Sequence, residues 1–143
     1  MRHAFGLRGP HVRTELLPFA IFSIPEVSYV GETEEQLRAA GVPILVGRGR
    51  YDFNPRGQIT GETGGLLKLL FEAETLRLRG VHVIGLDAAE IVHTGQAFLY
   101  RQATAEEIAE TLFNYPTLSD MYRHAAFEAL SQAHRYGVPE EKG

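Results

Sequence analysis

The sequence predicts an α+β domain in which a β-hairpin hands the chain to a helix lying on the sheet. Two apolar runs, Leu66-Leu67-Lys68-Leu69-Leu70-Phe71 and Val81-His82-Val83-Ile84, stand on either side of the polar break Glu72-Ala73-Glu74-Thr75 and the segment Leu76 to Gly80. That is the pattern of an antiparallel hairpin. Gly85 ends the second run, and Asp87-Ala88-Ala89-Glu90 opens a helical pattern with Ile91, Ala97, Phe98 and Leu99. An Asp followed three residues later by Glu is a looser form of the Ser/Thr capping box. Neither hairpin nor helix can bury its apolar side alone, so each needs the other.

Residues 1–17 hold Gly6, Gly9 and Pro10 among charges without a clean period and read as a lead-in segment. Phe19-Ala20-Ile21-Phe22 is a short strand interrupted at Ile24-Pro25, and Val27-Ser28-Tyr29-Val30 alternates before Gly31. A proline there favours an edge strand or a bend. Thr33 and Gln36 form a capping box, with Glu34 and Glu35 where the helix dipole favours acids. Leu37 and Ala40 supply the apolar side of this helix of about two turns, and Gly41 stops it. Val42-Pro43-Ile44-Leu45-Val46 is a third strand.

Gly47 to Gly57 reads as a strand end passing into an ordered loop, and Gly57, Gly61, Gly64 and Gly65 as hairpin turns ahead of the central strands. After the central helix, Thr104 and Glu107 form a second capping box, over a helix with Ile108, Ala109 and Leu112 on one side. Phe113-Asn114-Tyr115-Pro116 stops it, and Thr117-Leu118-Ser119-Asp120 starts the last helix. Its broad apolar side runs through Leu118, Met121, Tyr122, Ala125, Ala126, Ala129, Leu130 and Ala133, and the alanines permit close packing against a neighbour. The segment 137–143 reads as a flexible tail.

The totals exclude several classes. A chain of 143 residues suits one domain. A formal charge of −4 with scattered basic residues gives no reason to expect nucleic acid. The absence of cysteine removes disulfides, thiolate metal sites and thiol redox chemistry from this chain. No apolar run approaches the roughly 20 residues needed to span a bilayer, and the N-terminus is too weakly apolar for a signal peptide. These readings make a cytoplasmic domain without membrane contact the expectation.

Candidate chemistry is sparse. His124 and Glu128 are four apart on the last helix, but no second cluster is spaced to complete a metal site, so they read as a surface pair. Gly57 to Gly65 lacks the Lys-Ser or Lys-Thr of a phosphate loop, and no Gly-x-Ser-x-Gly occurs. Asp87 and Glu90 read as helix-start residues rather than an acid/base pair. Tyr115-Pro116-Thr117-x-x-Asp120 differs: proline fixes the backbone before a capped helix, with an aromatic residue at its mouth. A helix start with a buried tyrosine accounts for it without any chemistry.

The string Pro18-Phe19-Ala20-Ile21-Phe22-Ser23-Ile24-Pro25-Glu26-Val27-Ser28-Tyr29-Val30-Gly31 resembles the start of the C-terminal dimerisation domain of the flavin-dependent pyridine nucleotide–disulfide oxidoreductases. So do Gly65-Leu66-Leu67-Lys68-Leu69, Gly80-Val81-His82-Val83-Ile84-Gly85 and Ala88-Ala89-Glu90-Ile91-Val92, in family order from about residue 18 to 131. Within that family, Asn54-Pro55-Arg56-Gly57-Gln58 and Phe113-Asn114-Tyr115-Pro116-Thr117-Leu118-Ser119 look most like the soluble transhydrogenase branch, which moves hydride between NADH and NADP through FAD.

The resemblance implies an antiparallel sheet of about four to five strands with helices packed on it, spanning 18–136 and pairing as a homodimer. In the disulfide-reducing members a His-Pro-Thr-x-x-Glu segment enters the partner subunit's active site, where the histidine is the acid/base. Tyr115, Pro116, Thr117 and Asp120 occupy the matching positions, so the resemblance sets them against the flavin of the partner subunit, with Asp120 as support. A tyrosine, with an ordinary pKa of about 10, is a poor proton shuttle near neutrality. That departure speaks against disulfide reduction and suits a transhydrogenase. The family's bond at this position also implies a cis Tyr115–Pro116 peptide.

The family's flavin and nucleotide fingerprints and redox cysteines do not occur in these residues. The expectation is therefore a dimerisation module that binds no cofactor alone, catalyses nothing alone, and belongs with FAD- and NAD(P)-binding domains of the same enzyme. The alternative is a small stand-alone binding protein that reuses this fold and its Tyr115 cleft for another ligand.

Overall fold

The structure, a computed structural model, describes residues 5–6 and 14–135. The tail at 137–143 and most of the lead-in lie outside the described residues. Within the lead-in, Thr14–Leu16 form a 3-10 turn with Leu16 buried, and the Leu16 carbonyl accepts from Gln96 Nε2 at 2.9 Å.

Five strands form one antiparallel sheet: β1 (Phe19–Ile21), β2 (Val27–Gly31), β3 (Ile44–Arg50), β4 (Leu66–Glu72) and β5 (Leu78–Ile84). Their spatial order is β1-β2-β5-β4-β3, with the β4–β5 hairpin at the centre as its sequence pattern predicts. β1 is an edge strand, and the chain bends after it at a cis Ile24–Pro25 peptide. The helices are α1 (Glu34–Ala39), α2 (Pro55–Thr60), α3 (Ala88–Arg101), α4 (Ala105–Glu110) and α5 (Met121–Arg135). α3 packs on β2 and β5, α5 on β3 and β4, and α4 on α5. The core lies between this helical layer and the sheet, where Val30, Leu45, Leu67, Leu69, Phe71, Val81 and Val83 meet Ile91, Tyr122 and the buried alanines of α5. On the other face α1 places Leu37 over Val46 and Leu70 and covers only that corner.

Both Thr capping boxes form as their spacing predicts. Thr33 Oγ1 accepts from Gln36 N–H while Gln36 Oε1 accepts from Thr33 N–H, and Thr104 and Glu107 repeat the exchange. Asp87 caps α3 differently. It sits at φ 57° and makes no side-chain cap bond; the Glu26 carboxylate accepts from Ala89 N–H at 3.3 Å instead. Ala40, Ala97 and Leu112 are exposed rather than on their helices' apolar sides, and Leu112 lies beyond the end of α4. Gly95 takes the interior position on α3.

The glycine-rich polar stretch is where the structure departs most from the expected loop. β3 continues to Arg50, with Gly47 and Gly49 facing inward and Arg48 and Arg50 outward. The alternation is that of a strand, but glycine supplies the inward position and leaves no apolar signal. A Cβ on Gly47 would collide with the Ala125 carbonyl, and one on Gly49 would lie 2.5 Å from the Met121 carbonyl oxygen. α5 therefore rests directly on the β3 backbone. Its Gln132 amide exchanges hydrogen bonds with Val46 N–H and C=O at 3.4 and 2.7 Å, and Glu128 accepts from Arg48 N–H at 2.6 Å. The outer edge of the sheet is thereby closed to strand addition.

Beyond β3 the chain makes a 3-10 turn at Tyr51–Phe53 and then α2, which contains Gly57 and ends at Gly61 in the left-handed conformation. These glycines are thus helical and capping positions, not hairpin turns. Tyr51 is fully buried and donates to the Leu86 carbonyl at 2.7 Å; its ring occupies the space that Cβ atoms on Gly65 and Gly85 would fill. Tyr122 enters the helix ladder of α3. Its hydroxyl donates to Ile91 C=O at 2.8 Å and accepts from Gly95 N–H at 3.0 Å, two groups that an uninterrupted helix pairs with each other. Burial raises the pKa of both phenols, so both remain protonated donors.

His82 projects to the open side of the sheet, opposite Val81 and Val83. Its ring stacks on Tyr29 at 5.9 Å, and its Nε2–H donates to the Glu32 carbonyl at 3.1 Å.

Tyr122→Phe should lower unfolding free energy by about 1–3 kcal/mol, the range for a buried pair of polar groups losing its partner. Gly95→Ala should lower it further, because its Cβ would lie 2.7 Å from the Tyr122 hydroxyl and from a Val81 methyl. Urea titration of each variant checks this; a Phe variant as stable as wild type means α3 simply closes its own bond. Burial holds the His82 pKa below its ordinary 6.5. The unfolded chain then binds this proton first, so stability should fall as pH drops below 6.5 toward the folded-state value. His82→Gln should flatten that slope in paired titrations between about pH 7 and 5.

Candidate functional site

The Tyr115-Pro116-Thr117-x-x-Asp120 segment connects α4 to α5. α4 ends at Glu110, and from Thr111 the chain is extended. Phe113 anchors it by packing against the core beside the Tyr122 ring, with centroids 6.5 Å apart. The residues around it turn outward: Leu112 is 90% and Tyr115 75% exposed. The Tyr115–Pro116 peptide is cis, as the resemblance implies. The buried tyrosine of the purely architectural reading is not found. Tyr115 stands in the open, where it is free to meet another molecule.

Thr117 caps the 3-10 turn Leu118–Asp120 by accepting from Ser119 N–H at 3.3 Å. Asp120 is buried, and its carboxylate turns toward α5, accepting from His124 Nε2 at 3.1 Å and lying 3.6 Å from Arg123 Nε. His124 is therefore paired with Asp120 and not with Glu128, which goes to Arg48 on β3. The reason is register: α5 lies over β3, so Glu128 meets the strand rather than its neighbour on the helix. Among the described residues no three His, Asp or Glu side chains are grouped to hold a metal.

Between α2, the start of α3 and residues 114–119 lies an open cleft of about 410 Å³, lined by Arg56, Asp87, Glu90, Pro116, Thr117 and Ser119 among others. Tyr115 is not among its lining residues, so the aromatic ring and the cleft are adjoining features rather than one pocket. A second cavity, of about 440 Å³, lies at the opposite end of α3 beside the Arg79–Glu32 and Arg79–Glu72 ion pairs.

One residue of the site escaped the sequence reading. Asn54 is 1% exposed, and its side chain works in two directions. Its amide oxygen accepts from Arg56 and Gly57 N–H at 2.9 and 3.3 Å, capping α2, while its amide nitrogen donates to the Thr117 carbonyl at 2.9 Å. Asn54 thus ties α2 to the Pro116–Thr117 turn. Asn-Pro at the start and Gly61 at the end carry the signature of a capped short helix, which would have located α2. Nothing local, however, points to Thr117, 63 residues away.

Asn54→Asp keeps the capping oxygen and loses the donor, so amide exchange should rise around Thr117 while α2 stays protected. Asn54→Ala loses both roles and should destabilise by a further 0.5–2 kcal/mol or so. Equal exchange changes in both segments of the Asp variant would show that the two roles do not separate.

Residues 17–126 match the family described as pyridine nucleotide-disulphide oxidoreductase, dimerisation domain. The chain is 46% identical over 130 residues to the soluble pyridine nucleotide transhydrogenase of Mycobacterium tuberculosis, covering 91% of this chain and 28% of that relative. It is 44% identical over 125 residues to that of Vibrio cholerae, covering 85% and 27%. Among solved structures, LpdA from Mycobacterium tuberculosis superposes with a TM-score of 0.78 at 25% identity, over 88% of this chain and 28% of that one. The HOCl-induced flavoprotein disulfide reductase RclA from Escherichia coli does so at 0.79 and 23% identity, over 88% and 29%, a likeness of fold. The chain spans less than a third of the length of each.

Proposed function

The chain belongs to the pyridine nucleotide–disulphide oxidoreductase dimerisation-domain family, and from that premise we propose that it serves as the dimerisation module of a soluble transhydrogenase-like flavoenzyme. The observation that carries this reading is the projecting Tyr115 segment, anchored on both sides by Phe113 and Asn54 and carrying a tyrosine where disulfide reductases of the family need a histidine base. A chemistry that passes hydride between nucleotides needs no thiol acid/base at that position. The homodimer partner, the companion domains and a cytoplasmic location belong to this reading; no helix among the described residues is long and apolar enough to cross a membrane.

The residues fit contact with a flavin held elsewhere better than they fit holding one. The cleft beside Pro116 is open and polar, while the exposed Tyr115 ring offers a face for stacking. FAD held by the companion domains of the partner subunit would supply the hydride-carrying ring between the two nucleotides. Tyr115 and Thr117 of this chain orient that ring and keep water from it. Asp120 holds the start of α5 beneath them through His124.

The test is a chimera in which this chain replaces the matching 28% of the Mycobacterium tuberculosis enzyme. It should dimerise, retain FAD and transfer hydride between NADPH and an NAD analogue. Tyr115→Ala should cut that rate about tenfold or more, the scale of a lost orienting contact, at unchanged FAD content. A chimera that dimerises and holds FAD without transferring hydride would overturn the reading.

A further inference from the structure

Asp120 is the only acid in the segment 113–120, and the family resemblance sets it as the support of residue 115. In the structure both of its oxygens are turned to α5 instead. Oδ2 accepts from His124 Nε2 at 3.1 Å. Oδ1 lies 3.6 Å from Arg123 Nε, which is buried and has no hydrogen bond of its own. An Asp–His pair four apart at a helix start is ordinary when both groups stand in water. Here the Asp120 side chain is only 10% exposed, so the carboxylate depends on its protein partners. His124 has no second acid to turn to, because Glu128 accepts from Arg48 N–H at 2.6 Å and from its guanidinium at 3.2 Å. The seating of α5 on β3 thus takes Glu128 away and leaves His124 to Asp120. On the other side of the turn the Tyr115 hydroxyl bonds to no described residue.

We propose that His124 is a specificity-determining residue: by committing Asp120 to α5 it withholds from position 115 the carboxylate that an acid/base there needs. What this means for the intact enzyme rests on the module reading above. A histidine works as a base when a second group orients its ring and stabilises its charged form. Tyrosine at position 115 is then one of two departures from a disulfide-reducing site, and histidine at position 124 is the other. Either one alone disables proton exchange with a thiol. Together they leave the segment with an exposed aromatic ring and no acid/base beside it, which suits contact with a flavin that passes hydride. Asp120 also donates its N–H to the Thr117 carbonyl at 3.4 Å, and Asn54 donates to the same oxygen at 2.9 Å. The committed carboxylate therefore belongs to the frame that holds the turn, and is not a group in reserve.

Imidazole titration by NMR on the 143-residue chain tests this without a flavin or a second copy. In Tyr115→His the titration midpoint of the introduced ring should be the same with and without Asp120→Asn. Adding His124→Leu should raise that midpoint by about 0.5 pH units or more, the effect of a carboxylate coming within reach. Asp120→Asn should then cancel the rise. The His124 side chain is 45% exposed, so its replacement opens no cavity in the core. His124→Gln keeps an N–H donor for Asp120 and should leave the midpoint where Tyr115→His has it. Arg56, Asp87 and Glu90 of the adjoining cleft are common to all these variants and drop out of the comparison. A midpoint that falls on Asp120→Asn beside an intact His124 overturns the proposal, because the carboxylate then already serves position 115. So does an unchanged midpoint on His124→Leu, which gives the commitment of Asp120 to Arg123 or to the backbone. A chimera that transfers no hydride removes the module reading and leaves this role of His124 standing.

Discussion

The backbone of α5 lies on the backbone of β3, and most of the structure follows from that approach. Two glycines at alternate positions of β3 remove the side chains that would hold the helix away. The alanines of α5 remove them from the other side. Close contact lets Glu128 and Gln132 reach the backbone of the edge strand, which protects that edge while adding polar contacts that fix the helix along the strand. The start of α5 is thereby fixed as well, and it is where the Tyr115 segment is attached.

Three buried polar side chains extend this rigidity to the elements around the site. Tyr122 ties α5 to α3 through Ile91 and Gly95, Tyr51 ties the end of β3 to Leu86 ahead of α3, and Asn54 ties α2 to Thr117. In each case a buried polar group finds a partner distant in sequence, where leaving it unpaired would be costly. The exposed Tyr115 is therefore presented by a rigid frame, although the segment itself has no regular structure. Such an arrangement suits a group that must meet another molecule in a defined orientation.

Legibility in the sequence tracked how local each cause was. The β4–β5 hairpin, the two Thr capping boxes and the apolar side of α5 depend on residues within a few positions of one another, and all appear as read. Asp87 is a helix start by position, yet the cap comes from Glu26, which accepts from Ala89 N–H across 63 positions of chain. The sequence pairs His124 with Glu128, four residues on, but the strand beneath α5 claims Glu128 and leaves His124 to Asp120. The second half of β3, Gly47 to Arg50, and α2 were missed because their key residues are glycines and an asparagine, which carry little hydrophobic signal.

The amino-acid order by itself determined the central hairpin, the starts of α1, α3, α4 and the last helix, and the family resemblance, because propensity, capping and periodicity act over one or two turns. It also identified Tyr115 to Asp120 as the segment of interest. Only the tertiary structure decided that Tyr115 is exposed, that Asn54 holds the turn beneath it, and that α1 covers only one corner of the outer sheet face. Those outcomes depend on which surfaces meet after the chain has folded back on itself. Burial is a property of that meeting and not of any residue alone.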